Sequence, residues 1–225
     1  MIIIENTHVD NVVRAVYSAR NAMNSWNRSD SDWNADALGK NDLMLAKQLS
    51  KAGNDHAKFL RMINVTMDIT APLYWWKEFD TYKVGTVANS CSTMQKIHSK
   101  EFTLDDFSCE HIMTNANEAG TELVDTAGFG TDILVTPKSL LNITIGCLNN
   151  YRKMYIETKN KKWWWQMIQL LPSSYNQKRT VQLNYAVLKN MYFARRNHKL
   201  DEWVEFCKWI ENLPYSELIT GKENK

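Results

Sequence analysis

The amino-acid sequence predicts a helix-rich α+β protein. Eight glycines and four prolines in 225 residues leave few breakers, which favours long helices over a sandwich of many short strands. A run from Phe59 to Ile69 alternates apolar and polar side chains on a β-rich background. From Thr136 onward, helical periodicity dominates.

The elements follow in order. "IIIEN" reads as a first strand, and Val9, Val12, Val13, Val16, Ala19 and Met23 recur near the helical period, which predicts a helix running to about Trp26. "RSDSDWNADALGK" is a polar, turn-rich segment. "NDLMLAKQLSKAG" predicts a second amphipathic helix, with Asn41 or Asp42 as its cap and Gly53 as its stop. The alternating run is a strand covered on one face and ended by Pro72. "PLYWWKEFDTYK" suits a helix, Gly85 interrupts, and "VANSCSTMQKIHS" resumes helical character. "DTAGFGTDILVTPK" reads as a loop, followed by a long helix opened by Thr136 with Pro137 at its first position. "KKWWWQMIQLLP" is a shorter helix closed by Pro172, "SSYNQKRT" a loop, and "VQLNYAVLKNMYFARRNHK" and "LDEWVEFCKWIENLP" are two more helices. No repeat of fixed period and no low-complexity linker is present, so residues 1–225 read as one domain.

Composition excludes several classes. The hydrophobic fraction of 44% and charged fraction of 23% are those of a globular protein. No apolar run approaches the ~20 residues needed to span a bilayer. "MIIIENTHVD" lacks both a basic leader and a long apolar stretch, which predicts a cytoplasmic protein. Cys91, Cys109, Cys147 and Cys207 form no C-x-x-C pair and are expected to be reduced. A net charge of +2 gives no electrostatic reason to expect nucleic acid or a membrane as partner. Nine tryptophans are unusual, and most are expected to pack. The triple Trp163–Trp165 cannot all face one core, so an interface is expected for at least one of them.

The common chemical signatures are absent. The five histidines show no metal-ligand spacing, and no metal is expected; neither a G-x-S-x-G elbow, a Walker A loop nor a G-x-G-x-x-G turn occurs. Two stretches combine cations, amides and hydroxyls in a way that suits a phosphorylated heterocycle: "YKVGTVANSCSTM", and "LPSSYNQKRTVQLNYAVLKNMYFARRNHK". In the second, Asn184 and Arg195 are eleven residues apart, so on one helix they would share a side at a separation of ~16 Å. An amide there could read a base edge while a guanidinium grips a phosphate. A plain solvated helix face accounts for the same spacing.

This arrangement resembles the flavin-dependent thymidylate synthases, which carry R-H-R-x-x-S-x-N-E-x-S-x-R-Y at a strand-to-helix junction and a second block, L-P followed by N and then R, near the C-terminus. Over the opening stretch the first motif retains Asn89 and Ser92, with Lys83 as a cation in place of its histidine. Tyr82 and Val84 stand where two arginines belong, Val87 replaces the first serine, Ser90 the glutamate and Met94 the third arginine. The second block keeps Leu171, Pro172, Asn184, Leu188, Asn190 and Arg195 in order and spacing. "DHAKF" with His56 resembles the family's E-H-x-x-F, and "LPYSELI" resembles its final segment.

The resemblance implies a central, mostly antiparallel sheet, a homotetramer, FAD as cofactor, and NADPH and methylenetetrahydrofolate as co-substrates. The implied reaction is one-carbon transfer to C5 of dUMP or a related pyrimidine nucleotide. Carried over residue by residue, it assigns His56, Lys83, Asn184 and Asn190 to the flavin, and Ser92 and Arg195 to the nucleotide. No protein nucleophile is implied. The alternative is a catalytically inactive relative that binds a nucleotide or serves a structural or regulatory role.

Overall fold

The computed structural model describes residues 1–119, 121–123 and 133–222. In chain order the elements are β1 (Ile3–Asp10), α1 (Val12–Ala19), α2 (Lys40–Lys51), β2 (Asn64–Pro72), α3 (Leu73–Phe79), β3 (Val87–Ser90), α4 (Thr93–Lys96) and α5 (Ala116–Ala119). There follow β4 (Thr121–Leu123), β5 (Ile133–Val135), α6 (Pro137–Thr158), α7 (Lys161–Leu170), β6 (Asn176–Asn184), α8 (Tyr185–Arg195), α9 (Asp201–Glu211) and α10 (Glu217–Thr220). A 3₁₀ helix at Ala57–Met62 precedes β2. The chain divides into two compact units. One comprises Met1, Pro72–Tyr74 and Cys91–Gln177; the other comprises Ile2–Ala71, Trp75–Ser90 and Lys178–Lys225.

The second of these is built on a four-stranded sheet in the order β1-β2-β6-β3, with β1 antiparallel to β2 and β3 antiparallel to β6. This is the helix-rich α+β architecture with a mostly antiparallel sheet that the sequence and its resemblance predict. β2 shows why: Val65, Met67, Ile69 and Ala71 are buried while the intervening residues are half-exposed, the two-residue alternation of a sheet covered on one face. The same unit holds an aromatic cluster in which Trp75 sits 4.9 Å from Trp76, 5.0 Å from Phe79 and 4.8 Å from Trp203. Each buried ring system removes ~150–250 Å² from water, an upper contribution of roughly 4–6 kcal/mol at ~25 cal/mol per Å².

Several boundaries differ from the expectation. β1 runs on to Asp10, and Val9 pairs with Val65 in the sheet rather than opening the first helix. The register shifts between Glu5 and His8, where Asn6 takes the left-handed conformation at φ 53°. α2 takes its N-terminal cap from outside itself: the Asp30 carboxylate accepts from the amides of Asn41 and Asp42. Asp42, expected as cap, is instead buried against Arg20, whose Nη2 lies 2.5 Å from Asp42 Oδ1. "SSYNQKRT" is largely β6 rather than a loop, and "VANS" is the edge strand β3 rather than helix.

The other unit is organised by α6 and α7. Thr136 Oγ1 accepts from the Ser139 amide, with Pro137 in the first turn, as the sequence predicts. Lys159, in the left-handed conformation at φ 55°, and Asn160, which caps α7, form the whole connection between the two helices. Ile97, Phe102, Phe107, Leu141, Leu148 and Met167 make its core. Asn149 fixes the approach of the preceding loop, bonding both the N–H and the C=O of Phe102 at 2.8 Å. Of the tryptophan triple, Trp163 stacks on Tyr151, Trp164 donates to the Met94 carbonyl, and Trp165 is 42% exposed. Residues 124–132, most of the expected "DTAGFGTDILVTPK" loop, lie outside the described residues; Ile133–Val135 of it pairs antiparallel with Thr121–Leu123.

Candidate functional site

In the sheet-bearing unit a cleft of about 820 Å³ opens between the 3₁₀ helix at Ala57–Met62, the turn Thr81–Gly85 and the first half of α8. Local rules place each wall. Gly85 is left-handed at φ +80°, and a Cβ there would sit 3.0 Å from Asn184 Nδ2 and 3.2 Å from Val187 Cγ2. Only glycine lets this turn lie directly on the start of α8. Asn184 ends β6 in extended geometry and is the N-cap of α8, its side-chain oxygen accepting from the Val187 amide at 3.1 Å. The Tyr185 amide is bonded to the Ile63 carbonyl at 3.1 Å, which ties α8 to the start of β2.

The lining is rich in donors. Arg61, Lys83 and Lys189 supply three cations; Asn54, Asn184 and Asn190 supply amides; no carboxylate contributes. Val84 and Phe193, also on the lining, are 91% and 48% exposed and set apolar surface beside the charges. Lys189 is half-buried, and burial holds its ammonium below the usual lysine range. Its Nζ donates to the Ser50 carbonyl in the last turn of α2. A cavity of this size, partly apolar and with converging polar groups, suits an anionic ligand bearing a ring system.

Of the residues assigned from sequence, Lys83, Asn184 and Asn190 meet in this cleft. His56 is exposed at the start of the 3₁₀ helix that forms one wall, beside the lining residue Ala57. Ser92 belongs to the other unit, where its hydroxyl caps α4 by accepting from the Gln95 amide at 3.0 Å. Arg195 is elsewhere on α8. Its Nη1 is 2.9 Å from Glu78 Oε2, its Nε donates to the Tyr82 hydroxyl at 3.0 Å, and its guanidinium lies 5.0 Å from the Trp203 ring centroid. The expected pair of an amide and a guanidinium on one helical side is therefore not formed. Asn184 is the cap rather than a helical residue, and the guanidinium does not line the cleft.

Arg61 and Lys189 were not anticipated. Arg61 fell within the alternating run read as strand, which begins with a 3₁₀ turn instead. Lys189 had one visible signal, its place directly before Asn190. Among the described residues no cluster of three or more His, Cys, Asp or Glu side chains could hold a metal ion, and no helix is long and apolar enough to cross a membrane.

The sequence matches no protein-family model and no curated protein. Solved structures do resemble the fold. A crystal structure of thymidylate synthase X (ThyX) from Helicobacter pylori with FAD and dUMP aligns over 98% of both chains at 16% identity, with a TM-score of 0.67. A second structure, described as the flavin-dependent thymidylate synthase from the same organism complexed with FAD and dUMP, aligns at 17% identity with a TM-score of 0.65 over 98% of both chains. The UMP/dUMP methylase PolB from Streptomyces cacaoi, bound to 5-Br dUMP, aligns over 98% of this chain and 95% of its own at 14% identity, TM-score 0.58. The chain thus has the flavin-dependent thymidylate synthase fold, one also used by a nucleotide methylase.

Proposed function

We propose that the protein is a flavin-dependent pyrimidine nucleotide methylase that transfers a one-carbon unit to C5 of dUMP, UMP or a close relative. The observation that carries this reading is the cleft itself: on a fold used by FAD- and dUMP-bound enzymes, Lys83, Asn184 and Asn190 converge on one cavity with no opposing carboxylate. The residues fit FAD as an anionic, ring-bearing group. Asn184 and Asn190 would meet polar edges of the cofactor, Val84 and Phe193 its flat faces, and His56 the rim beside them. When bound, the flavin would supply the redox equivalents, with NADPH as reductant and methylenetetrahydrofolate as carbon donor. The protein's share is to orient, to hold charge and to exclude water. By the same resemblance we place Ser92 and Arg195 at the nucleotide and expect a homotetramer.

The pairing of Arg195 with Glu78 favours a second reading, a catalytically inactive relative with a structural or regulatory role, because the guanidinium assigned to the nucleotide already has an anion. One experiment separates the two. The purified protein is incubated with FAD, NADPH, methylenetetrahydrofolate and dUMP or UMP, and the nucleotide is followed by mass spectrometry. A yellow protein that adds the mass of a methyl group to the pyrimidine meets the first reading. A colourless protein that binds neither nucleotide meets the second, and nucleotide binding without methylation refutes the first.

A further inference from the structure

We propose that Lys189 and Arg61 are the residues of this chain that grip the phosphates of the ligand in the cleft, and that they select a diphosphate-bearing nucleotide over an uncharged ring. The inference deepens the flavin reading and rests on the same cavity. It starts from charge. Arg61, Lys83 and Lys189 line one cleft with no carboxylate among them, and among the described residues neither Arg61 nor Lys83 has an ion-pair partner. Like charges gathered without a counter-ion repel, and an anion entering the cleft removes that cost.

The geometry divides the work between them. Lys189 is the inner cation: one of its three N–H donors is fixed on the Ser50 carbonyl, which leaves two. That carbonyl belongs to the last turn of α2, so the ammonium is held at the negative end of a helix and its stem is immobilised before any ligand arrives. Arg61 is the outer cation, exposed, with all five donors open to a bidentate phosphate contact. Arg195 is in no position to replace them while Glu78 and Tyr82 hold its guanidinium.

The test compares FAD, ADP and riboflavin binding to the full-length protein by calorimetry and flavin fluorescence. Arg61→Gln and Lys189→Gln should each weaken FAD and ADP by tenfold or more, the loss of a charge-assisted hydrogen bond, and leave riboflavin within twofold. Lys189→Arg should retain most of the ADP affinity, and melting curves identify any variant that fails to fold. Equal loss of riboflavin in the Gln variants, or unchanged FAD and ADP in both, overturns the proposal while leaving the flavin reading intact. Binding of ADP but not flavin by the unmodified protein, with ADP weakened in both variants, retains the phosphate grip and removes the flavin reading. No binding of any of the three removes both.

Discussion

Glu78 should be a structural carboxylate, and its replacement separates hydrogen bonding from charge. Its Oε2 accepts from Trp203 Nε1 at 2.9 Å and from Arg195 Nη1 at 2.9 Å, with His198 Nε2 at 3.4 Å. Trp203 is fully buried, so Glu78→Ala leaves an indole N–H without a partner, at a cost of about 1–3 kcal/mol. The ion pair adds little. The side chains of Arg195 and Glu78 are 21% and 35% exposed, and a pair so open to water contributes about 0–1 kcal/mol. Glu78→Gln keeps an acceptor for the indole and loses only the charge, so its cost stays below about 1 kcal/mol. Urea unfolding followed by circular dichroism reads both, with the midpoint moving and the slope unchanged. For Glu78→Ala a loss near 2 kcal/mol corresponds to roughly 4–8 °C in melting temperature for a chain of this size. If Gln proves as damaging as Ala, charge rather than the indole contact dominates and the reasoning fails. If both are silent, Trp203 has found another acceptor.

Four further outcomes are expected. Asp42→Asn should cost about 3–5 kcal/mol by urea unfolding, because Arg20 would remain buried without its anion. The same site gives a pH dependence. Burial alone would raise the Asp42 carboxyl, but the hydroxyls of Ser29 and Ser31 and the guanidinium of Arg20 outweigh it and hold it below the usual carboxylate range. Its contribution is therefore full above the ordinary aspartate pKa and is lost as pH falls through the lower folded value; an acid titration of stability should lose that step in Asp42→Asn. Gly85→Ala should destabilise by about 1–2 kcal/mol through its left-handed backbone and, by pressing on Asn184, weaken FAD binding in a fluorescence titration. Burial pushes the Cys207 thiol up to about 11, so iodoacetamide at pH 8 should label exposed Cys91 and leave Cys207 unmodified by mass spectrometry.

What the sequence made legible was whatever local chemistry decides. Thr136 followed by Pro137 marks a helix start because the hydroxyl and the ring act within one turn, and α6 begins there. The alternation of β2 survives because its buried positions are all apolar. β6 escaped notice for the opposite reason. Val181 and Leu183 point inward, but so does Gln177, whose amide is satisfied by the Cys91 carbonyl, and Arg179 lies across the Trp76 ring at 4.1 Å while pairing with Asp80. Polar residues at inward positions erase the two-residue pattern. The cap of α2 was illegible because it comes from Asp30, outside the helix, through a loop whose path depends on the Arg20–Asp42 pair.

The cleft was half legible for a related reason. A resemblance selects residues by order along the chain, and three of those it selects, Lys83, Asn184 and Asn190, line the cleft. Which side of α8 stays open is decided by the 3₁₀ helix and the turn packed beside it, and that selection brings in Lys189 and Arg61 and leaves out Arg195. The cap has a chemical consequence. Because the Val187 amide takes one lone pair of the Asn184 oxygen, the amide nitrogen with its two N–H groups offers a ligand more than the oxygen does. Beside two ammonium groups and a guanidinium, that makes every charged group on the lining a donor and this cap chiefly one. A cavity so constituted discriminates by demanding acceptors, and phosphate oxygens and the carbonyl edges of a heterocycle supply them. It therefore penalises a ligand that presents donors alone, since each unmatched N–H taken out of water costs about as much as a hydrogen bond gains.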